Sequence, residues 1–104
     1  MFEIGKLYWY SSGSGILEMQ LPGECLAEIA RSGDNMPAVE TWLSLDPVRT
    51  QLLTFDPADI RDELREYGAW DDVELSDDEA NLKRFLWCAA HSAAEEIRSG
   101  EYQE

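Results

Sequence analysis

The side chains able to do covalent or metal chemistry are few: two cysteines, Cys25 and Cys88, and one histidine, His91. Cys88 and His91 stand three residues apart, which raises either a thiolate–imidazole pair or the start of a metal site. A structural zinc takes four nitrogen or sulfur ligands at recognisable spacing, and this chain does not supply them. A nucleophilic thiolate needs a base placed to accept its proton, and three positions along one helix is not a recognised geometry for that. Both cysteines are therefore expected to be buried thiols, with no metal and no cofactor. The glycines of SSGSG precede neither a helix nor a lysine, so they do not make a phosphate loop. Carboxylate pairs are so numerous that none stands out as an acid–base couple. No catalytic motif is present, and the expectation is a binding protein, not an enzyme.

Carboxylates are the abundant chemistry, and their placement is uneven. From Asp56 through Glu79, 11 acids stand against Arg61 and Arg65, a net −9 of the chain's −14. Asp59, Asp62, Glu63 and Glu66 recur at i, i+3, i+4 and i+7, which at 100° per residue sets all four within about 100° of arc on one helix face. Like charges so spaced cost helix stability; Asp59 helps the helix N-terminus, but Glu66 near the other end is opposed by the dipole. The stretch WDDVELSDDE that follows, with six acids in ten residues, has more local purpose. Asp71 and Glu74 form a D-x-x-E pair ahead of a short turn, and Asp77, Asp78 and Glu79 fill the first turn of the next helix, where the dipole favours them. Ladder and run together imitate the regular negative charge of a nucleic-acid backbone, which binding sites read largely through Lys and Arg. The partner-binding set on this reading is Asp59, Asp62, Glu63 and Glu66, extended by Asp71, Asp72, Asp77 and Asp78, with Trp70 or Trp87 as an apolar anchor. Two blander readings stand beside it: a merely solvated acidic face, and a Trp87 that packs under the N-terminal hairpin.

These residues need elements to hold them. Asp56-Pro57 pairs an N-cap with a proline suited to the first helical position, and Ile60, Leu64 and Tyr67 give the apolar stripe of a helix over 57–67 that ends at Gly68. Ser76 to Glu79 reads as an S-x-x-E capping box. It opens a long helix from about Asp77 to Arg98, whose Leu82, Phe85, Leu86, Ala89, Ala93 and Ile97 keep helical spacing until Gly100. Upstream, residues 2–21 predict a β-hairpin turning at SSGSG, with Phe2, Ile4, Tyr8 and Tyr10 on one face and Leu7 and Trp9 on the other, both partly covered. Pro22 and Gly23 should break the second strand, and GECLAEIARSG then gives a short helix with Leu26, Ile29 and Ala30 inward and Gly33 past its end. AVETWLSL and VRTQLLTF read as brief helices from the spacing of Val39, Trp42 and Leu43 and from Pro37 and Asp46-Pro47, although a strand fits either piece. Leu52 and Leu53 are expected in the core. The sum is one α+β domain over residues 1–104: a hairpin at 1–21 packed on a mainly helical 22–104 with one long terminal helix.

Eight Lys and Arg against 22 Asp and Glu give the net charge of −14 and a pI of about 4.2, well beyond the roughly 2–8 units that solubility asks of a small domain. Nucleic acid and anionic membrane both need cationic side chains, so neither is an expected ligand; a basic protein surface is. No stretch approaches the roughly 20 apolar residues of a membrane span. The opening MFEIGKLYWYSSGSG lacks the basic-then-apolar order of a secretion signal, which makes the cytoplasm the expected location. An isolated two-stranded hairpin is marginal, so it must lie on helices or recruit a strand from a second copy; monomer and homodimer both stand.

Residues 67–90, YGAWDDVELSDDEANLKRFLWCAA, resemble a class of small proteins from bacteria and their phages. The likeness is carried by Tyr67-Gly68-Ala69-Trp70, Asp72, Glu74-Leu75, Asn81, Arg84 and Trp87, after Asp59-Ile60-Arg61 and Leu64-Arg65-Glu66. That class has no agreed activity to transfer, so the resemblance implies only a bacterial or mobile-element origin. Given such an origin, size and acidity also look like those of anti-CRISPR and antirestriction inhibitors, which block nucleic-acid-handling machines and often mimic DNA charge. The expectation is an inhibitor of that kind on the basic nucleic-acid site of a CRISPR effector or restriction enzyme. The alternative is a non-mimetic interaction module, such as a hairpin-mediated homodimer.

Overall fold

Tyrosines alternate with Leu7 and Trp9 at the start of the chain, and the computed structural model, which describes residues 2–13, 15–32, 36–67 and 77–100, places strand β1 there, at Leu7–Ser11. It runs antiparallel to β2 (Glu18–Pro22), with Trp9 opposite Gln20 and Tyr10 opposite Met19. Five helices follow among the described residues: α1 (Gly23–Ser32), α2 (Met36–Leu43), α3 (Asp46–Leu53), α4 (Pro57–Tyr67) and α5 (Asp78–Ser99). The α+β architecture expected from the sequence is the one observed. The two segments that fitted either helix or strand, α2 and α3, are both helical.

The hairpin differs from expectation in the extent of its first strand. This begins at Leu7, so residues 2–6 lie outside it and Ile4 is 85% exposed. Its faces are unequally covered: Tyr8, Tyr10, Met19 and Leu21 are buried, whereas Leu7 and Trp9 are partly covered, at 42% and 54% exposed. Phe85 of α5 meets Tyr10 edge-on at 6.2 Å, which places the long helix beneath the tyrosine face. Pro22 is the last residue of β2, which stops where the sequence places the break. It lies opposite Leu7, at a position whose amide would point away from β1, so the donor it lacks is not needed in the ladder.

Helix α1 then starts at once because Gly23 leaves room. Its N–H donates to Lys6 O at 2.8 Å, and a Cβ built there would lie 2.0 Å from Glu3 O. Helix α1 buries Cys25, Leu26 and Ile29, and α2 buries Val39, Trp42 and Leu43. In α3 the inward pair is Val48 and Leu52; Leu53, expected in the core, lies 61% exposed, since one residue turns the side chain about 100° away from Leu52. Gln51 of α3 reaches the backbone of β2, accepting from Gln20 N–H at 2.6 Å and donating to Gln20 O at 2.9 Å.

The two helices that carry the sequence's clearest signals are where those signals put them. Asp56 Oδ1 caps α4 through Ala58 N–H at 2.9 Å, and Ile60 and Leu64 are buried, though Tyr67, placed on the same stripe, is 45% exposed. Helix α5 touches α1, α2, α4 and β1 and is the centre of the packing. Its Ala89, Ala90, Ala93 and Ala94 are fully buried and let neighbouring backbones come close, while Phe85 fills the space between Tyr10 and Phe55. The cap is Asp77 in place of the expected Ser76: its carboxylate accepts from Glu79 N–H at 3.1 Å and Ala80 N–H at 3.3 Å, and a charged acceptor is favoured there. Gly100, at φ 80°, ends the helix in the left-handed conformation. Among the described residues no helix is long and apolar enough to cross a membrane.

Candidate functional site

Burial of Ile60 and Leu64 fixes the rotation of α4 and thereby turns Arg61 away from the helix's acids, while Arg65 stays beside Asp62. On one flank Arg61 Nη2 bonds Asp78 Oδ1 at 2.9 Å, tying α4 to the start of α5, and Arg65 Nη1 approaches Asp62 Oδ1 at 3.3 Å. The other flank is carboxylate. Asp59, Asp62, Glu63 and Glu66 come together around a shallow notch of about 120 Å³, and the fifth residue of its lining is Ile16, from the loop before β2 and 65% exposed. The structure thus brings the four-acid ladder together and adds an apolar centre to it. Nothing in the sequence marked Ile16, because its place depends on how the hairpin lies against a helix far along the chain.

The ladder grades from solvent to core. Asp62 is largely exposed, whereas Glu63 is half-buried and bears on two groups beneath it. Burial first, and the Glu63 charge second, push the Tyr10 hydroxyl up to about 12; the same two causes in the same order push the Cys88 thiol up to about 12. Burial likewise raises Cys25 to about 12. Both cysteines are buried and unbridged, as the sequence suggested, and thiols so shifted are almost wholly protonated near neutral pH.

The remaining expected residues fare differently. Asp77 is occupied as the α5 cap and Asp78 as the partner of Arg61, so both are explained by local structure. Trp87 is half-buried, edge-on to Tyr67 at 6.1 Å and tilted over His91 at 4.2 Å, and packs beside the end of α4. Trp70, Asp71 and Asp72 lie outside the described residues. No group of three or more His, Cys, Asp or Glu among the described residues is arranged to hold a metal ion.

A second charged region lies where α2, α3 and α5 meet. Arg49 grips Glu79 with two bonds, at 2.7 and 2.9 Å, and Lys83 reaches Glu40 at 2.6 Å, across an open cavity of about 640 Å³ floored by Leu43 and Ala80. Hydrogen bonding to these bases holds the Glu79 and Glu40 carboxyls below the usual range. The cavity is a braced junction of helix ends in which each base already answers a carboxylate. The α4 flank is instead a domain surface of concentrated negative charge. No protein-family model matches the chain, and neither curated proteins nor solved structures give a match.

Proposed function

We propose that this protein is a small acidic inhibitor of the anti-CRISPR or antirestriction kind, which occupies a basic nucleic-acid-binding site of a bacterial defence complex in the host cytoplasm. It acts by binding and carries out no catalysis. The observation that supports this reading is the α4 flank: four carboxylates share one notch with an exposed Ile16, Arg61 is turned away to Asp78, and Arg65 meets one of the four, Asp62, in an ion pair. A site evolved for phosphates presents Lys and Arg at similar intervals, and the ladder offers them acceptors without a nucleic acid. Ile16 adds an apolar contact that phosphates do not provide, so the inhibitor holds its target by more than charge. The acids also draw the target in by long-range attraction, making association fast and strongly salt-dependent.

The test is displacement of labelled duplex DNA from purified CRISPR effectors and restriction enzymes at low and high salt. Wild-type protein is expected to displace DNA at low salt, and a D62K/E63K/E66K triple variant to lose that ability while keeping its helical circular dichroism. Displacement undiminished by the charge reversal would defeat the proposal.

A further inference from the structure

Helix α5 begins between two cavities. The larger is the open space of about 640 Å³ where α2, α3 and α5 meet; the smaller, of about 230 Å³, lies between the end of α3 and the start of α4. Glu79 lines both, so the two adjoin at the Arg49–Glu79 ion pair.

Their linings differ. The smaller is walled by Leu52, Phe55, Pro57, Ile60 and Leu82, and beside them stands Leu53, expected in the core but 61% exposed. An apolar side chain entering here would cover Leu53 and take apolar surface of both partners out of water. The volume falls below the roughly 300–1,000 Å³ of small-molecule sites, so the pocket suits one side chain. The larger cavity is charged. Glu40, Asp46, Asp77 and Glu79 stand there against Arg49 and Lys83, a net −2. Arg49 answers Glu79 and Lys83 answers Glu40, which leaves Asp46 and Asp77 with no ion-pair partner among the described residues. Asp46 opens α3 and Asp77 caps α5, and the two helix N-termini offset these carboxylates by roughly half a charge each, so about one negative charge remains. An anion is disfavoured in such a cavity, and a single cation is favoured.

We propose that the two cavities form one docking groove for a segment of a partner protein that carries a bulky apolar side chain next to a lysine or arginine. The apolar group enters the pocket between α3 and α4, and the cation reaches Asp46 and Asp77. Both resident bases keep their own carboxylates, so the guest breaks no ion pair. A free metal ion would leave the apolar pocket unused, and a purely apolar guest would leave the two carboxylates unanswered. The groove shares no residue with the notch on α4, and it does not rest on the acidic-inhibitor reading.

Titration of isotopically labelled protein with two capped peptides, acetyl-Gly-Leu-Arg-Gly-amide and acetyl-Gly-Arg-Leu-Gly-amide, tests this by backbone amide NMR. At least one peptide is expected to shift the amides of Leu53 and Ala80 while leaving those of Asp62 and Glu66 in place. Replacing leucine by serine or arginine by glutamate in the peptide should weaken binding about fivefold or more, as should Leu53→Ser or Asp46→Asn in the protein, with circular dichroism unchanged. The D62N/E66Q variant should bind the peptide within about twofold of wild type at physiological salt, because screening isolates the two surfaces. No shift with either peptide, equal binding of the substituted peptides, affinity unchanged in both groove variants, or binding lost in D62N/E66Q would each overturn the proposal. Shifts of the same amides with protein concentration alone would make a second copy of the chain the occupant, and would overturn it as well.

Discussion

Gly23 shows how much a single missing Cβ can matter. The chain leaves β2 and enters α1 within one residue, and Glu3 O occupies the place a side chain would take. Gly23→Ala should therefore force the N-terminal segment away from α1 and cost about 1–3 kcal/mol, as overpacking does, read as a fall in the midpoint of urea unfolding. The buried thiols give a second expectation at this scale. Cys25 and Cys88 should resist alkylation at neutral pH in the folded protein and react fully once it is unfolded. Their folded pKa values, like that of Tyr10, lie above those of the unfolded chain, so their contribution to stability is complete below about pH 9 and is lost as pH rises toward 12. Alkaline unfolding followed by fluorescence should begin in that window; stability unchanged up to pH 12 would contradict the burial of all three groups. The burial of the cysteines could be read from the sequence, because two thiols and one histidine complete no familiar site. The role of Ile16 could not, since its neighbours come from α4 and no local pattern announces them.

Among the elements, α4 combines a legible helix with an arrangement that works against it. Asp56-Pro57 marked its start, Gly68 its end and the Ile60–Leu64 pair its buried face, because capping, chain breakers and apolar spacing are local properties. The ladder along its flank places like charges at i+3 and i+4 and leaves Glu66 in the last turn, where the helix dipole is unfavourable. Neutralising the D62N/E66Q pair should raise stability by a few tenths of a kcal/mol, less whatever the Arg65 contact with Asp62 contributes, and should weaken DNA displacement. A higher melting temperature with displacement intact would mean that the flank serves solubility alone. The errors in reading the other elements share one cause. Leu7, Trp9, Leu53 and Tyr67 have the right type for burial, but tertiary packing decides how far an apolar residue is covered, and these four stay 42–61% exposed. The shift of the α5 cap from Ser76 to Asp77 is a smaller matter of the same kind: adjacent residues both able to cap compete, and the sequence alone does not rank them.

For the molecule as a whole, net charge opposes folding. The charge of −14 is spread over a chain in which, among the described residues, 23 apolar residues are buried in one cluster, and self-repulsion works against that cluster at low ionic strength, where the Debye length exceeds about 10 Å. Adding sodium chloride should raise the melting temperature; a fall would mean that the ion pairs joining α3 and α4 to α5 outweigh the repulsion. Fold class was legible at this scale because hairpin and helix patterns are each periodic. The site was legible only in part: the spacing of the acids could be read along the chain, but not the surface they share with the hairpin. One detail of that hairpin has a further consequence for assembly. With Gln51 seated on Gln20, a strand from another chain finds the middle of the β2 edge already bonded. The residue that guards this edge against strand addition is thus an uncharged glutamine on α3, far in sequence from the strand it protects.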